Sequence, residues 1–168
     1  MTRLPPEGID RRITRVMAAY AIPFLRISLG VVFLWFGVLK FFAGASPAEA
    51  LAGKTIATLT FGMMQPGVSL PILAVWESLI GLGLLSGKFV RTTLLLLFLQ
   101  MPGTMLPLFF FPHECFTQIP YAPTLEGQYI IKNLVLVAGA IAVGATARGG
   151  DVVADADLAA QQRERLGR

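Results

Sequence analysis

Between Pro71 and Gly87 the chain reads PILAVWESLIGLGLLSG, and only Glu77, Ser78 and Ser86 interrupt an otherwise apolar run. With Val68, Ser69 and Leu70 ahead of it, the stretch is long enough to cross a bilayer, which takes about 20 residues. Glu77 then falls near the midplane. An ionised carboxylate at that depth costs at least about 2.5 kcal/mol. It has to find a cation, keep its proton, or face a wet cavity. That requirement constrains what the other segments can bring to it.

The remainder of the chain is of the same kind. Of its 168 residues, 55% are hydrophobic and 14% charged, whereas a soluble domain carries about 25% charged residues. This is the composition of an integral membrane protein. A single cysteine, Cys115, excludes an intrachain disulfide and a CxxC redox pair. A single histidine, His113, excludes a haem held by two histidines of one chain, and no metal set is evident. The opening MTRLPPEGIDRRITR is too polar for a cleaved leader, so the first apolar segment is expected to stay as a span.

The expected organisation is all-α: one membrane domain over 1–168, folded as a four-helix up-down bundle. Residues 1–21 form a basic tail and a helix lying in the headgroups, capped by Asp10 and carrying Arg11, Arg12 and Arg15. Pro23 separates that helix from the first span. Spans are expected at about 22–42, 68–87, 92–112 and 128–147, and 148–168 is a tail. The connection 45–67 is long for a turn and predicts a short surface helix starting near Ser46. Pro102 and Pro107 predict kinks in the third span. Arg26, Gly30, Phe33, Gly37, Lys40 and Gly44 recur every three or four residues. They place one small and polar stripe against a neighbouring helix.

Cations set the orientation. Arg3, Arg11, Arg12, Arg15, Lys88, Arg91, Arg148, Arg163, Arg165 and Arg168 fall on one side, against Lys40, Lys54 and Lys132 on the other. Both termini are therefore expected in the cytoplasm. Tyr121, Tyr129 and the phenylalanines 109–111 would mark the outer interface.

With each span centred on the midplane, Gln100 lies about 3 Å and Arg26 about 9 Å to the inner side of Glu77, and Lys132 about 8 Å and Lys40 about 12 Å to the outer side. The favoured partner is Arg26, with Gln100 beside it, because a guanidinium stays charged and binds a carboxylate bidentately. Lys40 and Lys132 are expected in a second, outer cluster with Glu126 or Glu114, or simply snorkelling. His113 and Cys115 are too few to hold a metal. An Arg–Glu pair that only fixes helix packing is the alternative to a functional one.

Three phrases together resemble the DoxX-like membrane proteins: LRISLGVVFLWFGVLKFF, VWESLIGLGLLSGKFVR and PTLEGQYIIKNLVLVAGAI. The resemblance spans about Leu25 to Gly149 and carries over Arg26, Lys40, Glu77, Lys132 and Asn133. It implies a four-helix bundle in the bacterial cytoplasmic membrane. It also implies a link to oxidoreductases that pass electrons from sulfur compounds or thiols to quinone. No redox-active cysteine pair or haem ligand set carries over, because the chain lacks those residues.

The resulting expectation is a membrane subunit of a quinone-linked oxidoreductase system. Glu77 and Arg26 would be the reacting groups, and Lys40, Gln100, Lys132 and Asn133 would bind the quinone. Electrons would come from a protein partner; a homo-oligomer is the other expected assembly, and no nucleic acid is expected. Two alternatives stand beside it: a non-catalytic anchor or assembly subunit, and a small-solute or ion pathway.

Overall fold

The computed structural model describes residues 7–46 and 49–150, with 152, 161 and 164 beyond them. Four of its helical stretches are long and apolar enough to cross a membrane: Gly8–Leu39, Pro66–Ser86, Val90–Phe110 and Leu125–Thr146. The first belongs to α1 (Glu7–Leu39), followed by α2 (Glu49–Leu59), α3 (Pro66–Ser86) and α4 (Val90–Met105). Two single turns, α5 (Pro107–Phe110) and α6 (Pro112–Cys115), lead into a small antiparallel hairpin, β1 (Phe116–Gln118) and β2 (Ala122–Pro123). The last span is α7 (Leu125–Thr146). Four long helices form a bundle, and α2 and the hairpin gather at one end of it.

Several expectations are corrected at helix ends. The headgroup helix and the first span are one continuous helix, with Pro23 inside it. The proline removes one donor to the carbonyl four residues back, which leaves the helix bonded on either side. Asp10 is not a cap, because α1 is already helical from Glu7. The tail arginines 163, 165 and 168, and Arg3, lie outside the described residues. Pro102 is accommodated within α4, whereas α4 stops at Met105 and a new turn begins at Pro107. The predicted surface helix exists as α2, and the Ser46 carbonyl accepts the Glu49 N–H at 3.1 Å. Glu49 in turn accepts from the Gly44 N–H at 2.8 Å.

The seam between α1 and α3 is lined by glycine. A Cβ on Gly30 would lie 2.8 Å from Leu85, one on Gly37 2.8 Å from the Ser78 nitrogen, and one on Gly81 2.4 Å from the Leu34 nitrogen. Contact positions rise along α1 as they fall along α3, so the two run in opposite directions. At these positions the missing side chains let the two helices approach closely. Leu29 and Phe33 of α1, Ile80 and Leu84 of α3, Leu94, Leu97 and Met101 of α4, and Ala140 and Val143 of α7 fill the core. Between α3 and α4 the chain turns through left-handed Gly87 (φ +67°), whose N–H returns to Gly83 O.

Candidate functional site

Glu77 lies on α3 facing inward and is 7% exposed. Its two carboxylate oxygens are taken by two different helices' neighbours. Lys40, just past the end of α1, places Nζ 2.5 Å from Oε2. Gln100 of α4 donates from Nε2 to Oε1 at 2.7 Å. The Lys40 and Glu77 side chains are 8% and 10% exposed, so the ion pair is shielded from water. Lys40 Nζ also reaches Phe36 O at 3.4 Å, which leaves one of its three N–H groups uncommitted. Since a carboxylate only accepts, Gln100 has to present its NH2 to Glu77. Its Oε1 is then buried with no hydrogen-bond partner.

The expected Arg26–Glu77 pair does not form. Arg26 Nη1 donates to the carbonyl of Leu84 and, at 3.3 Å, to that of Leu85. These carbonyls end α3, and a cation there also meets the negative end of the helix dipole. Two geometric facts decide the exchange of partners. The Arg26 Cβ tilts toward the start of its own helix, away from Glu77, and Leu84 is about 10 Å along α3 from Glu77. Lys40 is closer than centred spans imply. Gly37 packs level with Glu77 and Ser78, which puts Lys40 only about 5 Å further along the axis. The glycine seam therefore sets the register, and the register selects lysine.

The expected outer cluster is also redistributed. Glu114 of α6 pairs with Lys54 of α2, at 2.9 and 3.1 Å, on the exposed surface. Lys132 stands 5.6 Å from the Tyr129 ring centre. Asn133 donates from Nδ2 to Thr104 Oγ1 at 3.2 Å, joining α7 to α4. Lys54, expected only as an outer-side cation, Thr104, and Tyr129, expected only as an interface marker, take part in these contacts as well.

Beside the ion pair lies a cavity of about 510 Å³. Val32, Phe33 and Phe36 of α1, Lys40 just beyond it, Leu73 and Glu77 of α3, and Leu99, Gln100, Met101 and Thr104 of α4 line it. Tyr129, Ile130, Lys132, Asn133 and Leu136 of α7 close another wall. Leu51, Ala52, Thr55, Ile56 and Leu59 make α2 its roof. The size suits a small organic ligand, and the lining is apolar with a few convergent polar groups. Arg26 is not among the lining residues.

Cys115 is wholly buried under α2, against Leu51 and Ile130, which removes it from any disulfide between chains. Burial pushes its thiol pKa up, and the Glu114 and Glu126 carboxylates push it further the same way. Among the described residues no group of histidine, cysteine and carboxylate side chains is placed to hold a metal.

Fold and site together define a four-span helical membrane protein with a buried lysine–glutamate pair beside a ligand-sized cavity. The family model described as DoxX matches residues 21–113, more than half of the chain, and the chain belongs to the DoxX family. Such a protein resides in the bacterial cytoplasmic membrane. The matched stretch contains Arg26, Lys40, Glu77 and Gln100 and ends before α7, so Lys132 and Asn133 lie outside it. No curated protein and no solved structure matches the chain.

Proposed function

We propose that the protein is the membrane subunit of a quinone-linked oxidoreductase system, with the cavity as its ring-binding slot. The carrying observation is that a mostly apolar space of about 510 Å³ meets Lys40, Glu77 and Gln100 in its wall. When bound, a quinone supplies two-electron, two-proton chemistry to a partner that delivers electrons. The residues present fit such a ring. Lys40 has an N–H left for a ring oxygen, and Gln100 holds the Glu77 carboxylate in the cavity wall. Asn133, fixed by Thr104, and Lys132 supply further donors. Glu77 is the group that holds or relays a proton, with Lys40 balancing its charge. Arg26 serves by fixing the end of α3 rather than by touching the ligand. In this reading the four spans alternate up and down, both termini are cytoplasmic, and α2 faces the outside.

The test is extraction of the purified protein for bound quinone, with titration of a quinone analogue against wild type and Glu77→Gln. Bound quinone, and weaker binding in the variant, are expected. No extractable quinone together with no binding to either protein would refute the reading.

A second reading has its own support. Both Glu77 oxygens are already taken within the protein, as in a purely architectural ion pair. The chain would then anchor a soluble enzyme through its arginine-bearing ends. A partner that stays bound and active on Glu77→Gln protein favours this reading.

A further inference from the structure

The bundle has four seams, and three are fastened by side chains at the level of the cavity. Between α1 and α3 the fastening is the glycine contact and the Lys40–Glu77 pair. Gln100 to Glu77 and the Trp76 indole N–H to Leu96 O, at 3.2 Å, close α3 against α4. Asn133 to Thr104 closes α4 against α7. Among the described residues no such bond joins α1 to α7. These two helices pack at their other half, where a Cβ on Gly139 would lie 3.2 Å from Leu25 and 3.4 Å from Leu29. Toward α2 the cavity separates them, with Val32 and Phe36 on one side and Tyr129 and Leu136 on the other. Phe36 is 41% and Tyr129 49% exposed, so the gap reaches the surface. That surface runs along the candidate spans from the interface marked by Tyr129 inward to Leu136, where the surrounding solvent is lipid.

From this we infer that the α1–α7 gap is a lateral portal. The ligand is an amphiphile whose polar ring sits at the Lys40–Glu77–Gln100 group and whose apolar tail leaves between Phe36 and Leu136 into the leaflet on the α2 side. The inference rests on the ring-binding reading above and adds the tail, its path and the side of loading. A water-soluble ligand has no use for an opening onto acyl chains, and α2 roofs the end of the cavity that faces water.

The test uses full-length protein in nanodiscs and two probes: decylubiquinone and the same ring with no tail. Leu136→Trp narrows the portal. It is expected to weaken decylubiquinone by about tenfold, the order of an overpacking clash with the tail, and to leave the tailless ring bound as before. Leu99→Trp, at the exposed edge of the cavity on α4, is the comparison. Loss of the tailed probe there and not at Leu136 overturns the portal, as does equal binding of each probe across all variants. If Leu136→Trp loses both probes, Phe36→Ala decides. Faster loading of decylubiquinone supports the portal and unchanged loading overturns it. Failure of wild type to bind either probe refutes the ring-binding reading itself, and the portal with it.

Discussion

Replacing Glu77 by glutamine keeps the side chain's shape and removes its charge, leaving Lys40 buried with no anion. In wild type the two groups are 2.5 Å apart and each is at most 10% exposed, so solvent screening does little to soften the loss. Removing one partner of such a pair is expected to cost about 3–5 kcal/mol, chiefly as the burden of the stranded charge. The lower part of that range is favoured here, because polar couplings between membrane helices average only about 0.6 kcal/mol. At about 3 kcal/mol, and with the scaling for soluble chains of similar size, about 2–4 °C per kcal/mol, the Tm falls by roughly 6–12 °C. The decisive measurement is a double-mutant cycle with Lys40→Met, read by thermal unfolding in detergent and by denaturation in bicelles. Glu77→Gln/Lys40→Met removes both charges and is expected to recover most of the stability lost by either single variant. If both single variants unfold within about 1 kcal/mol of wild type, or if the double variant loses the sum of the two, the ion pair does not govern the bundle as described.

Other substitutions separate the parts of this picture. Gly81→Ala drives a methyl against the Leu34 backbone and is expected to cost about 1–3 kcal/mol or more, whereas Gly103→Ala, which meets nothing within 4 Å, leaves the Tm unchanged or slightly raised. Arg26→Met removes donors to Leu84 and Leu85 and should cost about 1.5–3 kcal/mol; ring-probe affinity should stay at the wild-type value, and a large drop in affinity without unfolding would place Arg26 in the site after all. Cys115 should react with a maleimide far more slowly than a free thiol at neutral pH, since its raised pKa keeps it protonated. Because the folded state holds that proton more tightly, the associated stability is present below the ordinary thiol range and is lost as pH rises through it. Wild type should therefore lose more stability at alkaline pH than Cys115→Ala, measured by thermal unfolding across pH.

The class of protein was legible in the chain because hydrophobic length is a local property. A run such as 71–87 declares a span whatever surrounds it, and Glu77 inside that run declares a buried polar centre. The glycines of the first span were legible as a packing stripe for the same reason. Which cation meets Glu77 was not legible, since it depends on how far one helix is slid along another. Centred spans put Lys40 too far away, and the contact of Gly37 with Glu77 and Ser78 brings it within reach. The same non-local cause hid the Lys54–Glu114 pair, whose members are sixty residues apart in sequence. Pro23 reads as a break in isolation, but within a long helix a proline costs one backbone hydrogen bond and the helix continues on either side of it.

The glycine seam has a mechanical consequence. With backbones in direct contact, α1 and α3 have no layer of side chains to slide on, so they behave as a single rigid plate that holds Lys40 and Glu77 at a constant separation. Any breathing of the chamber then has to come from α2, α4 or α7, which meet this pair less closely. The charged centre stays still while the walls around it move.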